Sequence, residues 1–191
     1  MKMISHFYDK IHGWFSFAGI YSRMVDHFPD GAKFVEIGSW YGRSTAYMAV
    51  EIANSGKRIE FAAVDTWEGS EEHKPGGSVA DRNIVAKGTI YDEFLRNMEQ
   101  VKDFVLPYRM TSLQAASLMA DRSLDFVFID AAHDYDNVKA DIAAWHPKVK
   151  LGGFIGGHDY TPSWPGVCQA VNEKYGNFET GQDSWLVRKN K

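Results

Sequence analysis

Five short, almost uninterrupted apolar runs punctuate the chain: KFVEIG (33–38), RIEFAAVD (58–65), FVLPYRM (104–110), LDFVFID (124–130) and GGFIGGHD (152–159). They lack the strict alternation of a half-buried strand, so both faces of each must be covered, as in a parallel sheet. The intervening stretches supply that cover. Residues 44–53 place Ala46, Tyr47, Ala49, Val50 and Ala53 on a stripe that stops near Gly56. Residues 91–101 carry Phe94, Leu95 and Met98, and Tyr135, Val138, Ile142 and Trp145 recur at helical spacing before Pro147. Strand and helix in this rhythm specify right-handed crossovers and an open, doubly wound α/β sheet with helices on both faces. A helix at SRMVDHF (22–28) precedes the first strand. GVCQAVNEKYG (166–176), NFETG (177–181) and SWLVRK (184–189) predict a last helix and two closing strands.

A length of 191 residues suits one domain, 1–191, with a helical N-terminal segment over 1–30. Residues 67–90 break the rhythm, with four glycines, a proline and little periodicity. A loop of that length in a compact domain predicts a lid. Glu71, Glu72 and His73 lie in it, and His73 is a candidate to face a substrate. The net charge of −4, with scattered Lys and Arg, gives no footprint for nucleic acid. The single cysteine, Cys168, has no internal disulfide partner, which favours a reducing compartment. No apolar run approaches the roughly 20 residues of a membrane span. The opening MKMISHFYDKIHGWF has no signal-peptide core, and a cytoplasmic location is expected.

Ligands of open parallel sheets bind at the carboxyl ends of the strands. The first strand ends in EIGSWYGRS (36–44), where Gly38 permits a tight turn into a helix. The dinucleotide pattern G-x-G-x-x-G is not met, because Trp40 and Arg43 stand where its second and third glycines would. Glu36, before the turn, would repel a phosphate and suit a cationic group. The second strand ends in Asp65, placed to accept from ribose hydroxyls or to serve as a plain surface acid. Thr111 or Ser112 caps the next helix or borders a nucleobase. His-Asp-Tyr occurs at 133–135 and again at 158–160, each copy near a strand end.

With these residues in view, the chain resembles the class I S-adenosylmethionine-dependent methyltransferases, and within them the metal-assisted small-molecule O-methyltransferases. The likeness rests on FVEIGSWYGRST (34–45), AAVDTWEG (62–69), LDFVFIDAAHDYDNVKADIAAW (124–145) and LGGFIGGHDY (151–160), with HGWFS (12–16) ahead of them. It implies a Rossmann-like sheet of seven mostly parallel strands, the last antiparallel, with S-adenosylmethionine across the strand ends. Position by position, it places Glu36, Gly38, Ser39, Gly42 and Ser44 around the methionine part, Asp65 on the ribose, and Trp67 and Ser112 beside the adenosine. Asp130 borders the cofactor as well. Where metal-dependent members hold a cation, Asp130, His158 and Asp159 are the matching positions, and His158 departs from the acid or amide usual there.

Methyl transfer to oxygen requires in-line alignment and a deprotonated acceptor. A divalent cation, Mg²⁺ or Mn²⁺, lowers the acceptor's pKa while a base removes the proton. Just beyond Asp130, His133 is the candidate base, with a structural hydrogen bond as its plain alternative. Asp134 or Asp136 reads as the N-cap of the following helix. The expected acceptor is a small hydroxylated molecule, a sugar or a phenol, in a pocket shaped by Phe7, Tyr8, Trp14 and Phe15. The same aromatics are candidates for a contact in a homo-oligomer. Two other classes fit parts of the pattern: an oxidoreductase binding NAD or a nucleotide sugar, and a catalytically silent binding module.

Overall fold

A computed structural model describes residues 3–70, 73, 76 and 80–190. Helix α1 (Ala18–His27) leads into strand β1 (Lys33–Ile37), helix α2 (Arg43–Ser55) and strand β2 (Glu60–Asp65). Helices α3 (Arg82–Lys87) and α4 (Tyr91–Met98) precede β3 (Leu106–Arg109), α5 (Ser112–Leu118) and β4 (Leu124–Ile129). Then come α6 (Tyr135–Trp145), β5 (Val149–Gly157), α7 (Pro165–Lys174), β6 (Glu179–Gly181) and β7 (Ser184–Arg188). The seven strands form one sheet in the order β3-β2-β1-β4-β5-β7-β6. β1 through β5 run parallel, while β7 lies antiparallel between β5 and β6. The open parallel sheet is the one the apolar runs predict, and its seven strands with β7 antiparallel are the Rossmann-like arrangement that the resemblance implies.

Period-two alternation divides the core between the two faces of the sheet. Phe34, Phe61, Phe126 and Phe128 pack on one side with Tyr21 and Met24 of α1 and Met48 and Ile52 of α2. Val35, Val64, Val127 and Ile155 pack on the other with Val138, Ile142 and Trp145 of α6 and Val171 of α7. Strand order changes direction at β1, whose neighbours are β2 and β4, so the crossovers diverge there and leave a crevice at the carboxyl edge.

Two expectations need correction. The 67–90 stretch is not loop throughout, because α3 forms within it. Asp81 caps this helix by accepting from the backbone N–H groups of Asn83 and Ile84, and Gly88 ends it in a left-handed conformation. The N-terminal segment is helical only in α1 and a short turn at Tyr8–Lys10. Its first part runs along α2, where Ile4 pairs with Asn54 and Arg43 donates to the carbonyls of Ile11 and Gly13, and Ser16 then reaches His158 at the end of β5. Glu71 and Glu72 lie outside the described residues. Among the described residues, no helix is long and apolar enough to cross a membrane.

Candidate active site

A cavity of about 720 Å³ opens along the carboxyl edge of the sheet. Its floor is pinned by backbone hydrogen bonds between successive strand ends. Gly38 N–H donates to Val64 O, Asp130 N–H to Ile37 O, and His158 N–H to Ile129 O. Gly38 takes φ +87°, and a Cβ there would overlap the carbonyl of Asp130. The turn after β1 and the end of β4 can therefore approach this closely only with glycine at 38.

Asp65 organises that turn. Its Oδ2 accepts from the N–H groups of Ser39 and Trp40, each at 2.8 Å, and its Oδ1 accepts from Trp67 N–H at 2.7 Å. Burial pushes its carboxyl above the usual range, against the backbone N–H groups that favour the charge. Three donors leave this carboxylate roughly one free acceptor position. Trp40, Trp67 and Asp159 all have positive φ, at 49°, 56° and 58°. Such conformations are uncommon for bulky side chains, and all three lie in the turns around the cavity.

The second polar centre joins the ends of β4 and β5. His133 Nε2 lies 2.8 Å from Asp159 Oδ2, and the His133 ring stacks on Trp164 with centroids 4.1 Å apart. His158 Nδ1 lies 3.2 Å from Asp159 Oδ2 and 3.4 Å from Asp130 Oδ1. Its Nε2 faces Ser16 Oγ at 2.9 Å, and Ser16 Oγ donates to Gln182 O at 3.0 Å. With its own proton on Gln182, Ser16 accepts from His158. Both ring nitrogens of His158 are thus placed to donate. Burial opposes the charged form of His158, but hydrogen bonds and charge from Asp130 and Asp159 outweigh it and push the pKa up to about 10. Burial likewise opposes ionisation of Asp159, yet hydrogen bonds from His133 and His158, then their charges, hold its carboxyl well below the usual range.

The cavity brings together Gly38, Ser39, Ser44, Asp65 and Ser112 with Asp130, His133, His158 and Asp159. Glu36, Gly42 and Trp67, expected around the cofactor, stand behind its wall. Glu36 is 1% exposed, accepting from Tyr21 Oη at 2.8 Å, Ser39 Oγ at 2.9 Å and Thr45 Oγ1. Trp67 is fully buried and donates its indole N–H to Trp40 O. Gly42 backs onto Met98 and Phe94. Of the N-terminal aromatics, Trp14 lines the cavity, whereas Phe7, Tyr8 and Phe15 pack into the core. His73 does reach the cavity, over Trp40 at 4.0 Å between ring centroids. Trp40, Trp164 and Asp141 were not anticipated, since each comes from a turn or helix rather than a strand end.

Asp130, His133 and Asp159 each offer a ligand atom within 4.8 Å of the others. Two carboxylates and an imidazole suit Mn²⁺ as well as Mg²⁺. Of the three positions expected to hold a cation, Asp130 and Asp159 fall in this group with His133 beside them, while the Nδ1 of His158 lies 3.4 and 3.2 Å from the same two carboxylates.

Comparison with known proteins adds an independent line. Residues 35–160 match a family described as a methyltransferase domain. The uncharacterized protein y4gI of Sinorhizobium fredii (strain NBRC 101917 / NGR234) is 29% identical over 154 residues, covering 81% of this chain. The chain spans only 16% of that relative's length. Among solved structures, the O-methyltransferase NovP superposes with a TM-score of 0.66 at 17% identity, covering 91% of this chain and 79% of NovP. The calicheamicin methyltransferase CalS11 gives 0.61 at 15% identity, covering 90% of this chain and 76% of CalS11. At these identities the likeness shows the fold.

Proposed function

The chain belongs to the methyltransferase-domain family, and from that premise we propose that it transfers a methyl group from S-adenosylmethionine to a hydroxyl of a small molecule, with a divalent cation assisting. The observation that carries this reading is the convergence of Asp130, His133 and Asp159 on the cavity wall, beside the Gly38 turn. Methyl transfer to a hydroxyl needs in-line alignment and a base beside the acceptor, and carboxylates there can hold the assisting cation. Asp65 and the turn it holds would seat the nucleoside. The volume of about 720 Å³ suits a cofactor with a small acceptor.

His133 is the residue placed to take the acceptor's proton. Asp159 fixes its ring through Nε2, and Trp164 holds its plane. Asp130 and Asp159 would hold the cation, which lowers the pKa of a hydroxyl bound beside it. Trp14, 64% exposed at the cavity, and Trp164 offer aromatic faces to a sugar or phenol ring. The name of NovP, an O-methyltransferase, supports oxygen as the receiving atom.

Methyl-labelled S-adenosylmethionine, incubated with sugar and catechol acceptors in the presence of Mn²⁺ or EDTA, tests this directly. Label on an acceptor oxygen, diminished by EDTA, is expected. Label on nitrogen instead would contradict hydroxyl transfer, and turnover unchanged by EDTA would remove the cation.

A further inference from the structure

Within HGWFS (12–16), His12, Gly13 and Trp14 line the cavity, whereas Ser16 lies outside its wall. The chain is pinned on either side of Trp14. Arg43 donates to Gly13 O at 2.7 Å, and the fully buried Phe17 packs on Phe128 of β4 with ring centroids 4.4 Å apart.

Ser16 and Phe17 together hold the ring of His158. Ser16 Oγ lies 2.9 Å from Nε2, and the Phe17 ring lies 4.9 Å from the imidazole. Ser16 Oγ also donates to Gln182 O at 3.0 Å. A carbonyl can only accept, so the serine's one proton is committed there and its lone pair receives the Nε2–H of His158.

The support behind Ser16 is a tight hairpin. Gly181 pairs with Ser184, which leaves Gln182 and Asp183 as a two-residue turn with φ of 51° and 58°. Turns of that kind match the twist of the flanking strands but ordinarily take Asn or Gly. Both carbonyls of this one are used. Gln182 O accepts from Ser16, and Asp183 O accepts from Tyr160 N–H at 2.9 Å. The His158–Asp159 turn is therefore held from both sides. With Nε2 committed to Ser16, Nδ1 is the ring nitrogen that meets Asp130 and Asp159, at 3.4 and 3.2 Å.

Resting on the cation-assisted reading, we propose that Ser16 is a positioning residue: by holding the Nε2–H of His158, it presents Nδ1 to a divalent cation bound by Asp130 and Asp159. Ser16 itself touches neither the cation nor the acceptor. An imidazole whose far nitrogen is held in this way keeps one orientation and one tautomer, and such outer partners are worth roughly 10–100-fold in metal affinity.

Mn²⁺ titration of the whole chain, followed by the electron paramagnetic resonance of the free ion, tests the proposal with the shape-matched variants Ser16→Thr and Ser16→Val. Threonine keeps the hydroxyl and should bind Mn²⁺ as the wild type does. Valine should bind it roughly 10–100-fold more weakly. Nitrogen NMR spectra of the histidine rings in the metal-free wild type should show His158 protonated at Nε2. Equal Mn²⁺ affinity in a folded Ser16→Val protein would overturn the proposal, since a merely structural role lowers thermal stability without moving that affinity. So would spectra showing no proton on Nε2 of wild-type His158. Failure of the wild type to bind Mn²⁺ would remove the cation and this inference with it, whereas S-adenosylhomocysteine titration of the same sample reports separately on methyl transfer.

Discussion

His133 Nε2 lies 2.8 Å from Asp159 Oδ2, so the histidine of the first His-Asp-Tyr triplet pairs with the aspartate of the second. The pairing ties the turn after β4 to the turn after β5 at one edge of the cavity. The other letters of the triplets do different work. Asp134 caps α6 by accepting from Asn137 N–H, and Tyr135 and Tyr160 bond to Glu173 and Asn172 on α7.

The pairing predicts separable kinetic effects. His133→Ala should lower kcat by roughly 10²–10⁴-fold, the usual worth of a general base, and leave S-adenosylhomocysteine affinity near the wild-type value. Steady-state kinetics with Mn²⁺ titration checks this. A matching loss of Mn²⁺ affinity would make His133 a ligand rather than the base.

His158 makes stability depend on pH with a definite sign. Its folded pKa, up to about 10, lies above the usual 6.5. Its contribution is complete below 6.5 and is lost progressively as pH rises toward 10. Asp159 acts in the opposite sense. Its contribution is present above the usual 3.8 and is lost as pH falls further. Urea midpoints measured across pH should fall on both sides, and His158→Gln should flatten the alkaline limb.

The same proton competes with a cation. A cation between Asp130 and Asp159 must displace the imidazolium of His158, so Mn²⁺ binding should tighten as pH rises and should release a proton. Calorimetry in buffers of different ionisation enthalpy reads that proton. Mn²⁺ affinity independent of pH from 6 to 9 (approximate limits set by the two histidine states) would exclude the competition.

Behind the cavity, Glu36 predicts a structural phenotype. Glu36→Ala leaves the hydroxyls of Tyr21, Ser39 and Thr45 without their acceptor. The loss should be about 3 kcal/mol in chemical denaturation. Gly38→Ala should also be damaging, because its Cβ would overlap the carbonyl of Asp130. There, activity should fall further than stability, since Asp130 itself must move.

The fold was legible because five strands are buried on both faces and helical stripes separate them. Gly38, Asp65, Asp130 and Asp159 were legible for a related reason: a polar residue ending an apolar strand is conspicuous. Glu36 was expected beside the cofactor from its matching position, and such a match does not reveal which face a side chain takes. Period-two alternation does, and it puts Glu36 on the Phe34 side, beneath Tyr21. Helix α3 was missed because one buried residue, Ile84, gives no periodicity, although Asp81 and Gly88 were signals for its two ends. Asp141 also left a trace, an acid three residues after Val138 on an apolar stripe. Trp164 and Trp40 left none, because their places depend on turns that only the folded chain defines.

The most direct test of the central claim is calorimetric titration of the purified chain with S-adenosylhomocysteine and, separately, with NAD. Saturable binding of the homocysteine ligand, weakened at least about tenfold in Asp65→Ala, with no heat from NAD, is the predicted result. Tight NAD binding with none for S-adenosylhomocysteine would contradict it.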